Sequence, residues 1–206
     1  MGYSNFKKLR TVTKQFGLSA KETELFENVT INLIEPSSWL KETLQMAKYM
    51  PLINEKVKSE RIVSPILLEI AKFYRDTFTL FSGEELSVDA NKDLSGACDF
   101  FFTLVARSPY LEAPIIAITE AKAECRPDED MEYGKAQCAA QLYAAKLFNE
   151  ADNKHIPILF GCATDGVAWQ FIRFENNTFY VDSKVYTDLK EILGVWHYIL
   201  SLYKSE

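Results

Sequence analysis

The chain has 206 residues, of which 48% are hydrophobic and 25% charged, with a formal net charge of −6. These are the proportions of a globular domain, and they exclude a disordered, collagenous or coiled-coil chain. No apolar run approaches the ~18–20 residues of a membrane span, and MGYSNFKKLR has no apolar core after its charges, so the expected location is cytoplasmic.

The charge is unevenly placed. Residues 1–21 carry Lys7, Lys8, Arg10, Lys14 and Lys21 with no acid, hence +5, and the other 185 residues carry −11. A basic arm on an acidic body is able to touch a polyanion, but the ordinary expectation is a solvated, partly frayed terminus. The four cysteines, Cys98, Cys125, Cys138 and Cys162, form no C-x-x-C pair, which argues against zinc or an iron–sulfur cluster. Three of them lie in apolar segments and read as reduced, buried thiols.

In chain order, Ser19-Ala20-Lys21-Glu22 reads as a capping box opening a short helix. Pro36-Ser37-Ser38 opens a second, Trp39 to Met50, stopped by Pro51. Residues 55–78 have helical apolar spacing, with Pro65 ending, kinking or beginning a helix and Ser64 as N-cap. The period then changes to that of a strand over Gly96–Val105, which contains Asp99. Pro114–Thr119 is a continuous apolar run, hence a strand buried on both faces, ending in Glu120-Ala121-Lys122.

An acidic loop follows, with Glu124, Asp128, Glu129, Asp130 and Glu132. Gly134–Phe148 is Ala-rich helix, and Ile156–Cys162 is another buried strand. Asp165-Gly166 signals a hairpin into Val167–Phe174, and Asn176-Asn177 turns into Thr178–Asp182. The tail from Tyr186 to Tyr203 is an amphipathic helix. The order predicts an α/β fold, a mixed sheet flanked by helices with one βαβ crossover. The expected division is an N-terminal basic arm and helical extension over 1–54 and a compact unit over 55–206.

Strand periodicity puts Glu120 and Lys122 on one face, and hairpin pairing brings Asp99 towards them. Two carboxylates there make a hard oxygen site suited to Mg²⁺ or Mn²⁺. A lysine beside them can orient or help deprotonate water and stabilise transition-state charge. Glu-x-Lys occurs once, at 120–122. Asp182/Lys184 with Asp165 upstream is a weaker echo, because Asp165-Gly166 is an ordinary turn pair and no Gln-bearing helix follows. His155 and His197 lie outside the constellation, and there is no glycine-rich phosphate loop.

Asp99 followed by Glu120-x-Lys122 resembles the core of the PD-(D/E)XK nuclease superfamily. The stretch Ser59–Leu67 resembles the first helix of restriction-subunit nuclease domains, and Cys98-Asp99-Phe100 their small-Asp-aromatic strand, without the family's proline. Gly134-x-x-Gln137 is similar to their helix start, and Phe160–Trp169, with Thr164-Asp165-Gly166, to the strand after it. The resemblance covers about Glu55 to Phe174 and implies a restriction-endonuclease-like fold.

It also implies that Asp99 and Glu120 ligate Mg²⁺ or Mn²⁺ with the Ala121 backbone carbonyl, and that Lys122 is the catalytic lysine. Glu60 would reach the metal through water, with Glu69 its fallback. Gln137 would orient phosphate or water, with Gln141 sharing its face. The expected function is a Mg²⁺-dependent DNA endonuclease, with DNA as partner and a homodimer or larger defence or restriction complex as its setting. The rival readings are a non-catalytic binding or assembly module on the same fold, and a small hydrolase or scaffold that touches no nucleic acid.

Overall fold

The computed structural model describes residues 2–122 and 130–204, with the side chain of Asp130 left aside. Among the described residues, seven strands form one mixed sheet in the order β1-β7-β6-β5-β4-β3-β2. They are β1 (Ser19–Thr23), β2 (Thr79–Ser82), β3 (Phe100–Thr103), β4 (Ile115–Ala121), β5 (Ile158–Thr164), β6 (Trp169–Glu175) and β7 (Thr178–Asp182). Helix α1 (Leu9–Phe16) and the long α5 (Asp130–Ala151) pack with one apolar cluster. Helices α2 (Ser38–Ala47), α4 (Ser64–Ala71) and α6 (Leu189–Ser201) lie with the other, and the short α3 (Glu55–Lys58) precedes α4.

The centre follows from hydrophobic patterning. All seven residues of β4 are buried, as its unbroken apolar run requires of a strand covered on both faces. β3 and β4 pair antiparallel, and β4 and β5 pair parallel, with α5 as the crossover between them. The alanine-rich α5 lies close to the sheet. A Cβ at Gly161 of β5 would come within 2.5 Å of Cys138 Sγ and 2.8 Å of Leu142 Cδ1, so only glycine permits that approach. Asn176 and Asn177, both at positive φ, make the two-residue turn between β6 and β7. The apolar stripe of α6, including Trp196, Ile199 and Leu200, is spent against the sheet.

Four expectations are corrected. Ser19–Glu22 is an edge strand rather than a helix. Gly17, at φ 66, ends α1 and turns the chain alongside β7, and five exposed residues with no helical apolar spacing then pair with it in parallel. The first residues are packed rather than frayed, with Tyr3, Phe6 and Val12 buried and the Tyr3 hydroxyl donating to the Leu86 carbonyl at 2.7 Å.

Pro65 begins a helix, one of the expected alternatives, sitting in the first turn of α4, but Ser64 is no cap, since its backbone is helical. Residues Ser59–Val63 form a π turn between α3 and α4, wide enough to accommodate a residue with no N–H and a ring that crowds the preceding turn. Asp99 lies in a bend one residue before β3, which is shorter than its sequence pattern predicts. The segment before residue 55 also supplies a strand of the same sheet. Among the described residues no helix is long and apolar enough to cross a membrane.

Candidate functional site

The end of β4 brings three of the expected side chains together. Lys122 follows the last residue of the strand, and its N–H donates to the Thr164 carbonyl of β5 at 2.7 Å. Two residues apart, Glu120 and Lys122 share a face as period-two geometry requires, and Lys122 Nζ donates to Glu120 Oε1 at 2.6 Å. Asp99 enters from the start of β3, where its Oδ2 accepts the Ala121 N–H at 2.7 Å. The Ala121 N–H is therefore already committed. Gly134 of α5 completes the wall, since a Cβ there would lie 3.3 Å from Lys122 Cγ.

Other expected residues fall elsewhere. Gln141 rather than Gln137 bonds the cluster, its Nε2 donating to Glu120 Oε2 at 2.7 Å. Gln137 is buried one turn earlier on α5. The helix carboxylate that joins the cluster is Glu55, 3.7 Å from Lys122 Nζ. Glu60 is 61% exposed and pairs with Lys56 at 3.9 Å. Five helical residues rotate a side chain by about 140°, so a helix that turns Glu55 inward turns Glu60 away. A readable signal did exist for Glu55: Asn54 precedes it, and its side chain caps the helix by accepting the Val57 N–H at 2.9 Å.

Glu69 is not a site residue. It is buried under the start of α2, accepting from the Ser37 N–H and Oγ at 2.9 Å each and from Lys72 Nζ at 2.6 Å.

Burial and the charge of Glu120 push Asp99 up to about 7, against the pull of the Ala121 N–H and Lys122. Burial also raises Glu120, although Lys122 and Gln141 favour its charged form. Burial opposes the Lys122 ammonium, yet Glu120, Glu55 and Asp99 outweigh it and hold the lysine protonated beyond its usual range. Among the described residues one cation thus faces three carboxylates, Glu120 buried, Asp99 half-buried and Glu55 more exposed, which leaves an excess of negative charge in a poorly solvated place. The amide of Gln141 adds a second imbalance, because its Oε1 is buried with no hydrogen-bond partner among the described residues.

The remaining candidates are structural. Asp182 is buried and accepts from the Leu25 N–H, the Lys184 N–H and the Tyr186 hydroxyl, and Asp165 Oδ1 accepts the Val167 and Ala168 N–H groups of its turn. Cys98, Cys138 and Cys162 are buried free thiols, held protonated by desolvation. Cys125 and the acidic loop residues Glu124, Asp128 and Glu129 lie outside the described residues, as does the Asp130 side chain. Among the described residues no group of three or more His, Cys, Asp or Glu side chains is arranged to hold a metal ion. No protein-family model matches the chain, and no curated protein matches it.

Proposed function

We propose that the chain is a metal-dependent phosphodiesterase acting on DNA as an endonuclease, on a restriction-endonuclease-like fold. The observation that carries this reading is the convergence of Asp99, Glu120 and Lys122 at the end of a fully buried strand, with more buried negative charge than one lysine offsets. The donor set fits a hard divalent cation, being two carboxylates beside an unsatisfied amide oxygen. Asp99 and Glu120 would hold it, with the Ala121 carbonyl added on the resemblance alone. When bound, Mg²⁺ or Mn²⁺ supplies Lewis-acid polarisation of the scissile phosphate.

The chain's own side chains do the rest. Lys122 gives one N–H to Glu120, and its remaining donors orient the attacking water and stabilise the charge that builds on phosphate. Glu55 and Glu120 keep that ammonium charged and aimed. Gln141 fixes the Glu120 carboxylate through Nε2 and leaves Oε1 to accept from a water. The walls of β4, β5 and α5 exclude bulk solvent from the pair.

The rival reading, a non-catalytic binding module, is favoured by one observation: both oxygens of Glu120 are already occupied, by Lys122 and Gln141. Purified protein with Mg²⁺ or Mn²⁺ is expected to cut supercoiled and linear DNA, and Lys122→Ala to abolish cutting. No cutting, together with no divalent-ion binding by calorimetry, gives the rival reading.

A further inference from the structure

The basic N-terminal segment is built into the fold beside the site. Leu9 N–H, at the start of α1, donates to Glu132 Oε1 at 3.1 Å, and Lys7 Nζ sits 5.2 Å over the Tyr133 ring. Glu132 and Tyr133 immediately precede Gly134, whose backbone lies against Lys122. The first turn of α1 is therefore held at the Lys122 end of the sheet. Further along, the Phe16 ring packs tilted against Tyr143 with centroids 4.7 Å apart, so α1 and α5 run side by side.

The apolar side of α1 faces inward, while Lys8, Arg10 and Lys14 are exposed. Among the described residues none of these three forms an ion pair, whereas most cations of the acidic body do. With Thr11 and Gln15 they line a shallow hollow of ≈ 570 Å³.

We infer that the Lys8–Arg10–Lys14 face of α1 is a rail for the phosphate backbone of duplex DNA, leading it to the Lys122 site. The inference rests on the proposed function and adds a surface that the resemblance does not cover. Three uncompensated cations on one anchored helix suit a regularly charged polyanion, whose binding is driven by counterion release. A membrane surface fits less well, because the apolar side of α1 is already packed against α5. Anchoring also answers the entropy cost that a frayed basic tail would carry on binding.

The test measures full-length protein on a labelled 30-bp duplex by fluorescence anisotropy, without divalent ions, across a salt series. For Lys8→Gln/Arg10→Gln/Lys14→Gln, affinity is expected to fall at least about 10-fold at moderate salt, and the log–log salt slope to drop by about 2–3. Lys154→Gln/Lys204→Gln removes exposed cations at the other end of α5 and at the Ile158 end of β5, and should stay within about 2-fold of wild type. Circular dichroism checks folding. If the triple variant is unfolded, Arg10→Gln alone must lower the slope by about 1.

An unchanged slope and affinity in the triple variant overturns the rail. If wild type still cuts DNA with Mg²⁺, the phosphodiesterase reading stands without it. Wild type that neither binds nor cuts overturns both. Loss of binding only to anionic phosphatidylserine vesicles, with DNA binding intact, also overturns the rail.

Discussion

Glu69, which is buried, and the pair of half-buried Asp99 and buried Glu120 are desolvated carboxylates in the same molecule, and they are treated in opposite ways. Burial alone would raise Glu69, but the Lys72 ammonium and two donors from Ser37 outweigh it and hold its carboxyl below the usual range. Asp99 and Glu120 share one lysine, repel each other and are raised. Burial is common to both. What differs is whether the donors around the charge suffice, and only the insufficient site is left seeking a further cation.

The largest effect expected from breaking this contrast is at Lys122. Lys122→Ala should lower DNA cleavage by about 10³-fold or more while leaving the fold intact, read by single-turnover kinetics. A variant that keeps a tenth of wild-type activity would remove the lysine from the mechanism. At the other pole, Glu69→Ala should leave activity per folded molecule unchanged. It should cost about 2–3 kcal/mol in urea unfolding, because Ser37 and Lys72 lose their acceptor.

The two carboxylates should also show opposite pH signatures in metal-free protein. Asp99 is raised from 3.8 to about 7, so the folded state keeps a proton that the unfolded state has lost. Its contribution is fully present below pH ~4 and is lost as pH rises through ~7. Asp99→Asn should flatten that decline and stabilise metal-free protein at pH 8 by about 1–2 kcal/mol. Glu69 is lowered below 4.5, so its contribution is present above that pH and is lost as pH falls. Glu69→Gln should remove only the acid-side loss. Chemical denaturation at pH 4, 6 and 8 reads both, and parallel slopes in the two variants would break the comparison.

The smallest effects separate neighbours on one helix. Gln141→Ala should lower cleavage about 10-fold by freeing Glu120. Gln137→Ala should cost less, and Glu60→Ala should change nothing measurable. The reverse order for the two glutamines would put the working amide one turn earlier.

The core of the fold was legible because its segments carry clean periodicities: the two-face-buried β4, the Ala-rich α5, the Asn-Asn turn and the striped α6. The edge strands were not. β1 has no apolar alternation, and β2 has four residues directly after a helical stretch, so pairing partners rather than local pattern create both. The π turn at Ser59–Val63 was hidden as well, since helical apolar spacing does not distinguish an α from a π turn over five residues.

In the site, Asp99, Glu120 and Lys122 were readable from strand period and hairpin order. Glu55 and Gln141 were not singled out first. Glu55 lay outside the Glu60 and Glu69 alternatives, and choosing a helix carboxylate, or between Gln137 and Gln141, needs the rotation of a helix about its axis, which spacing alone leaves open by a turn.

The central claim is that the end of β4 is short of one divalent cation. A crystal soaked in Mn²⁺ tests it through anomalous scattering. The expected result is a peak within about 2.5 Å of oxygens from both Asp99 and Glu120. A fully soaked crystal with no peak there, and with the Lys122–Glu120 pair undisturbed, would contradict it.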